Sequence, residues 1–200
     1  ESALVARVGA TADLLGALCF SLYLSRRLWK AQVEIGPMLK RYWLVALSLF
    51  GWGLLTVPGW VLDPLSYFVR FGSPRATHLL FIGLITFTIV GTFYHVVPFI
   101  IWFHRYSDRL GYEQVPMIDD LFDARIARIE FWLLLVGLAV LWVGELLAAP
   151  SLVLMVGGNV LGLGVILFAI NMGLVVWNHR PETGREVLAI LFGRIPSETN

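Results

Sequence analysis

Charge is scarce in this chain. Asp, Glu, Lys and Arg make up 14% of its 200 residues, where a soluble domain carries about 25%. That poverty excludes a water-soluble globular domain, and a formal net charge of +1 excludes a nucleic-acid partner held by basic patches. Cysteine is nearly missing too. Cys19 stands alone, so no internal disulfide forms and the redox compartment cannot be read from it. No signal-peptide pattern and no low-complexity linker is present. The chain opens at Glu1 without an initiator Met, so an upstream portion, removed or belonging to a longer protein, is expected.

What fills the chain instead is apolar sequence in long runs: 58% of residues are hydrophobic, with eight Trp and thirteen Phe. Runs of about 20 apolar residues are read as membrane spans, and Trp-rich ends suit the lipid–water interface. The sequence predicts an all-α, polytopic membrane helix bundle, a single transmembrane domain over residues 1–200. Five spans are expected, at about residues 3–24, 42–61, 77–103, 125–147 and 151–177. The third is long: from Thr77 to His104 it would rise about 42 Å, against a hydrocarbon core of about 30 Å. It must be tilted, kinked or protruding. Pro98 supplies a cause, because it cannot donate to the carbonyl of Tyr94. Loops are expected at residues 25–41 and 105–124, the second containing "GYEQVPMIDDLFD" as an amphipathic surface turn.

The basic residues predict an orientation. With five spans, the first loop, the third loop and the C-terminal tail share one side and hold twelve of the fifteen Lys and Arg. Arg7, Arg70 and Arg75 are the three on the other. The positive-inside rule puts the twelve-charge side in the cytoplasm, so the N-terminus faces out and the C-terminus in.

Polar groups inside spans are expensive and are functional-site candidates by default. His78 opens the third span, His95 lies in its inner third and His104 near its inner end. At 100° per residue His95 is turned about 100° from His78 and about 180° from His104, so no two share a face. Chelation of one metal by a helical pair, which needs i,i+3 or i,i+4 spacing, is excluded. His104 and His179, beside Arg105 and Arg180, read as interfacial residues. His78 admits the same reading. His95 reads either as a site or as a hydrogen-bonding group, with Asn171 of the fifth span at matching depth as its partner. Asp13 and Glu145 are the remaining intramembrane candidates, and the glycines of "GGNVLGLG" permit close helix approach, with Gly158 and Gly162 forming a G-x-x-x-G pair.

The third and fourth spans carry a resemblance. His78, followed by Tyr94–His95–Val96–Val97–Pro98, and then Arg125, Phe131 and Trp132, resemble two consecutive helices of the haem-copper oxidase catalytic subunit, chiefly its C-family and nitric oxide reductase relatives. The likeness covers about seventy residues, His78 to Leu147. It implies a respiratory-type electron-transfer complex of a bacterial cytoplasmic membrane. Haem is the cofactor it implies, with His78 and then His95 as candidate axial ligands. Where the family has adjacent copper histidines, this chain reads Gly144–Glu145–Leu146. His78 alone cannot rebuild a copper site, so no metal site and no catalytic residue are expected. The expectation is a non-catalytic or haem-associated subunit, with membrane lipids, other membrane subunits or a missing N-terminal half as partners. Two other readings are open: a small-solute or proton pathway lined by Asp13, His95, Asn171 and Glu145, and a structural scaffold.

Overall fold

The computed structural model describes residues 2–32 and 36–179. The described chain is all-α, without a strand, and five of its helical spans are long and apolar enough to cross a membrane. It is an integral membrane helix bundle. Helix α1 is Ser2–Trp29 and α2 is Pro37–Leu62. The third span begins as a π-helical stretch, Leu79–Thr86, and continues as α3, Phe87–Tyr106. Helices α4, Ala124–Leu146, and α5, Ser151–His179, complete it.

The spans lie where the apolar runs predict them, but the first two are longer. Helix α1 continues through Ser25, whose hydroxyl donates to the carbonyl of Ser21 at 2.8 Å, and ends on Arg26 and Arg27. Such cations suit the negative end of the helix dipole. Helix α2 starts at Pro37, where a missing N–H costs nothing. The first loop is therefore shorter than expected, and Arg41, assigned to it from sequence, is a buried residue of α2. The tail charges Arg180, Arg185 and Arg194 lie outside the described residues.

Pro98 does not end or interrupt the third span; it is buried within α3. The irregularity lies at the other end of the span, in the π-helical stretch. The acidic connection after α3 forms turns and a 3-10 turn, Ile118–Asp120. It is less peripheral than an amphipathic surface turn, because Leu121 and Phe122 are buried. Asp123 then caps α4, its side chain accepting from the N–H groups of Arg125 and Ile126.

Helices α4 and α5 form a tight antiparallel hairpin, closed by Ala148 in the left-handed region at φ 49°. A Cβ on Gly137 would lie 2.8 Å from the backbone nitrogen of Leu161, and one on Gly164 would lie 2.8 Å from the Leu134 side chain. Gly157 meets Val140 equally closely. The expected G-x-x-x-G contact is not made, because Gly158 and Gly162 face open space. The glycines that matter are seven apart, Gly157 and Gly164, which keeps them on one helix face. Helix α1 packs on α2, with Leu18 against Gly53.

Tryptophans fasten the loops. The indole N–H of Trp52 donates to the Phe71 carbonyl, that of Trp60 to Val69, that of Trp102 to Pro116 and that of Trp142 to Arg75. Gly72 holds φ 90°, and a Cβ there would lie 2.4 Å from both Thr56 Oγ1 and Trp52 Nε1. Only glycine fits that turn.

Candidate functional site

The strongest polar constellation joins four helices. Arg41 of α2 and Glu130 of α4 form an ion pair, with relative side-chain exposures of 1% and 0%. Both enter the bundle from helix starts: Arg41 is four residues past Pro37, and Glu130 six past Ala124. The two helices begin at the same end of the bundle, so the charges meet about one to two turns below it. Arg41 also donates to the carbonyls of Pro37 at 2.9 Å and Ala127 at 3.1 Å. Its guanidinium carbon stands 4.3 Å from the Tyr94 ring centroid and 5.5 Å from that of Phe131, so two aromatic faces take up charge that carboxylate oxygens do not.

Tyr94 of α3 continues the network. Its hydroxyl donates to Glu130 Oε2 at 3.2 Å and accepts from Asn171 Nδ2 of α5 at 3.1 Å. Asn171 is fully buried and clamps the start of α4: it accepts from the Asp123 N–H and donates to the Asp123 carbonyl, both at 3.0 Å. Phe122 packs edge-on against Tyr94 at 5.1 Å. Among the described residues, two atoms of the cluster have no hydrogen-bond partner, Arg41 Nε and Glu130 Oε1.

The expected His95–Asn171 bond is not formed. Asn171 bonds Tyr94, one residue earlier, while His95 lies exposed on α3 and stacks on Phe99 at 6.1 Å. Adjacent helix residues differ by 100°, so matched depth does not imply matched face.

A second pair sits at the opposite end. His78 Nδ1 lies 2.7 Å from Glu145 Oε2, with side-chain exposures of 29% and 34%. Both were candidates from sequence, and the fold brings them together. Asp13 is exposed on α1 and, with Arg70 and Trp60, lines a cleft of about 240 Å³. His104 is exposed, whereas His179 is tied to Tyr106 Oη at 3.2 Å.

Clefts of about 590, 420 and 340 Å³ are lined by no histidine. His95 borders one of about 180 Å³, below the usual range for ligand pockets of about 300 to 1,000 Å³. Among the described residues no three His, Cys, Asp or Glu side chains converge on a metal position.

Among the described residues the polar groups form no chain across the bundle. Between the Arg41 cluster and the His78 pair lies a packed layer of Val45, Leu49, Leu79, Phe87, Val90, Leu134 and Leu138, each at most 7% exposed. Ser48 is a buried hydroxyl at this level. It is seven residues from Arg41 and eight from Thr56, about 10 and 12 Å along α2, too far for direct hydrogen bonds.

Sequence reasoning missed Arg41, Glu130 and Tyr94. The available signal was depth: a carboxylate inside the fourth span needs a cation, and the second span begins with one at the same end. Comparison with protein-family models, curated proteins and solved structures finds no match. The likeness of His78–Leu147 to the haem-copper oxidase subunit therefore stands on those residues alone.

Proposed function

We propose that this chain is a non-catalytic, membrane-embedded helical module of a larger assembly, whose intramembrane polar groups lock helices together rather than perform chemistry. The observation that carries this reading is the Arg41–Glu130–Tyr94–Asn171 cluster, in which every side chain finds a partner outside its own helix. Helix α1 argues for further subunits. It is peripheral, and Asp13 within its apolar run is exposed. A carboxylate at that depth calls for a neighbouring helix or a hydrated cleft. The assignment to a respiratory-type complex of a bacterial cytoplasmic membrane, with the N-terminus outside and the C-terminus inside, follows the charge split and the resemblance. The approach of His78 to Glu145 supports that kinship, since it joins the family's histidine position to the residue standing where its copper histidines belong.

The rival proton or solute pathway is disfavoured by the apolar layer between the two polar stations. One preparation tests both readings. Purified protein is expected to show no Soret band and only substoichiometric copper and iron, and vesicles containing it are expected to show no proton flux above empty ones. A Soret band with reduced α and β bands would overturn the cofactor-free reading. Proton flux abolished by Glu130→Gln would reinstate the pathway.

A further inference from the structure

We propose that the cleft between the starts of α2 and α4 binds the phosphate of an anionic phospholipid headgroup. The cleft holds about 340 Å³ and is lined by Lys40, Arg41 and Arg128, and no acidic side chain among the described residues lines it. Glu130 neutralises Arg41, but among the described residues Lys40 and Arg128 have no acidic partner. The described side chains that line the cleft, with Arg41 paired to Glu130, therefore carry about two net positive charges, and a phosphodiester supplies the matching sign. Arg41, 99% buried, keeps a guanidinium donor, Nε, without a partner.

The backbone adds to this field. Pro37 and Ala124, the first residues of α2 and α4, both line the cleft, so the positive ends of two helix dipoles meet there. Asp123 already occupies the α4 end. Gly36 at the α2 end has no side chain to cap it, and among the described residues no cap bond is made there.

Depth and shape select a lipid over free phosphate. Lys40 lies in the first turn of α2 and Arg128 in the second turn of α4, at the level where a membrane span meets headgroups. Trp132, one turn beyond Arg128, lines the cleft and is 57% exposed; Val136, one turn further, is 46% exposed. Residues i and i+4 share a helix face. Headgroup cations, an interfacial Trp and an apolar track thus run down one side of α4, in the order of a phospholipid's phosphate, glycerol and acyl chains. Basic pockets between spans at an interface have this use.

The test is lipid retention by the purified full chain in a neutral detergent, read by native mass spectrometry and by the unfolding temperature. The probes are phosphatidylglycerol, phosphatidylcholine and inorganic phosphate. Phosphatidylglycerol is expected to be retained and to raise the unfolding temperature at about tenfold lower concentration than phosphatidylcholine. Lys40→Gln with Arg128→Gln removes that preference. Lys30→Gln with Arg109→Gln, the same charge loss at the same end of the bundle, keeps it. Equal retention of both lipids by the unaltered protein would overturn the proposal, as would equal loss in the two double variants. Displacement of the lipid by millimolar inorganic phosphate would overturn the lipid assignment in favour of a soluble anion. The competition arms need no variant and stand even if one fails to fold.

Discussion

Removing Glu130 is expected to cost more than removing Arg41, although the two form one pair. Arg41 and Glu130 are both essentially unexposed, and breaking a buried pair from one side typically costs about 3–5 kcal/mol. The two halves differ in what is left behind. Glu130→Gln strands a guanidinium that cannot lose its proton. Its remaining partners are two carbonyls and the faces of Tyr94 and Phe131. Arg41→Met strands a carboxylate, which escapes by taking up a proton and keeps the Tyr94 hydroxyl as partner. Glu130→Gln should therefore lie near the top of that range, and Arg41→Met should fall below it. The double variant Arg41→Met/Glu130→Gln leaves no charge and should recover most of the loss, giving a coupling energy of about 2 kcal/mol or more. The assay is reversible unfolding in mixed micelles as the denaturing-detergent fraction rises, followed by helicity. Additive single variants, or an Arg41→Met cost equal to that of Glu130→Gln, would refute the reasoning.

Tyr94→Phe removes one hydroxyl bonded to both Glu130 and Asn171, and in the same assay should cost about 1–2 kcal/mol. Gly137→Ala drives a Cβ against the backbone of α5 and should destabilise by about 1–3 kcal/mol. Gly158→Ala and Gly162→Ala meet nothing and should be neutral or stabilising by up to about 1 kcal/mol; a large loss at either would restore the G-x-x-x-G contact. In a Cys19→Ala background, Cys placed at Ala31 or Gln32, both exposed between α1 and α2, should resist impermeant thiol reagents added outside intact cells. Ready labelling would invert the orientation.

The five spans were legible because lipid imposes a simple rule: every backbone polar group is satisfied within the segment, so apolar runs become helices. Their ends were less legible. Arg26, Arg27, Lys40 and Arg41 read as loop charges, yet polar residues extend a helix past the hydrocarbon edge, and Arg41 turns inward from there. Glu130 was hidden by its neighbours. In "RIARIEFW" it follows two arginines and looks like part of an interfacial cluster, whereas it faces the bundle and pairs with a different helix. Asn171, Glu145 and His78 stood out in the sequence as costly groups, because expected cost follows depth along a span, which sequence shows. Their partners depend on rotation, which the π-helical stretch alters.

That stretch has a geometric consequence for both polar stations. In an ideal α-helix His78 and Tyr94, sixteen residues apart, would be turned about 160° from each other. Their partners on α4, Glu145 and Glu130, are fifteen apart and differ by only about 60°. A regular third span could not present both residues to α4. The π-helical winding at Leu79–Thr86 lies between them; its i→i+5 bonding turns less per residue than α-helix, and a deficit equal to one residue is enough. One residue's worth of rotation is about 100°, and subtracting it from 160° leaves the 60° that α4 requires. The same shift turns His95 to about 160° from His78, which accounts for its place on the outward face and for the lost bond to Asn171. The irregular stretch is therefore what allows one seam to hold a half-buried histidine–carboxylate pair at one end and a buried arginine–carboxylate pair at the other.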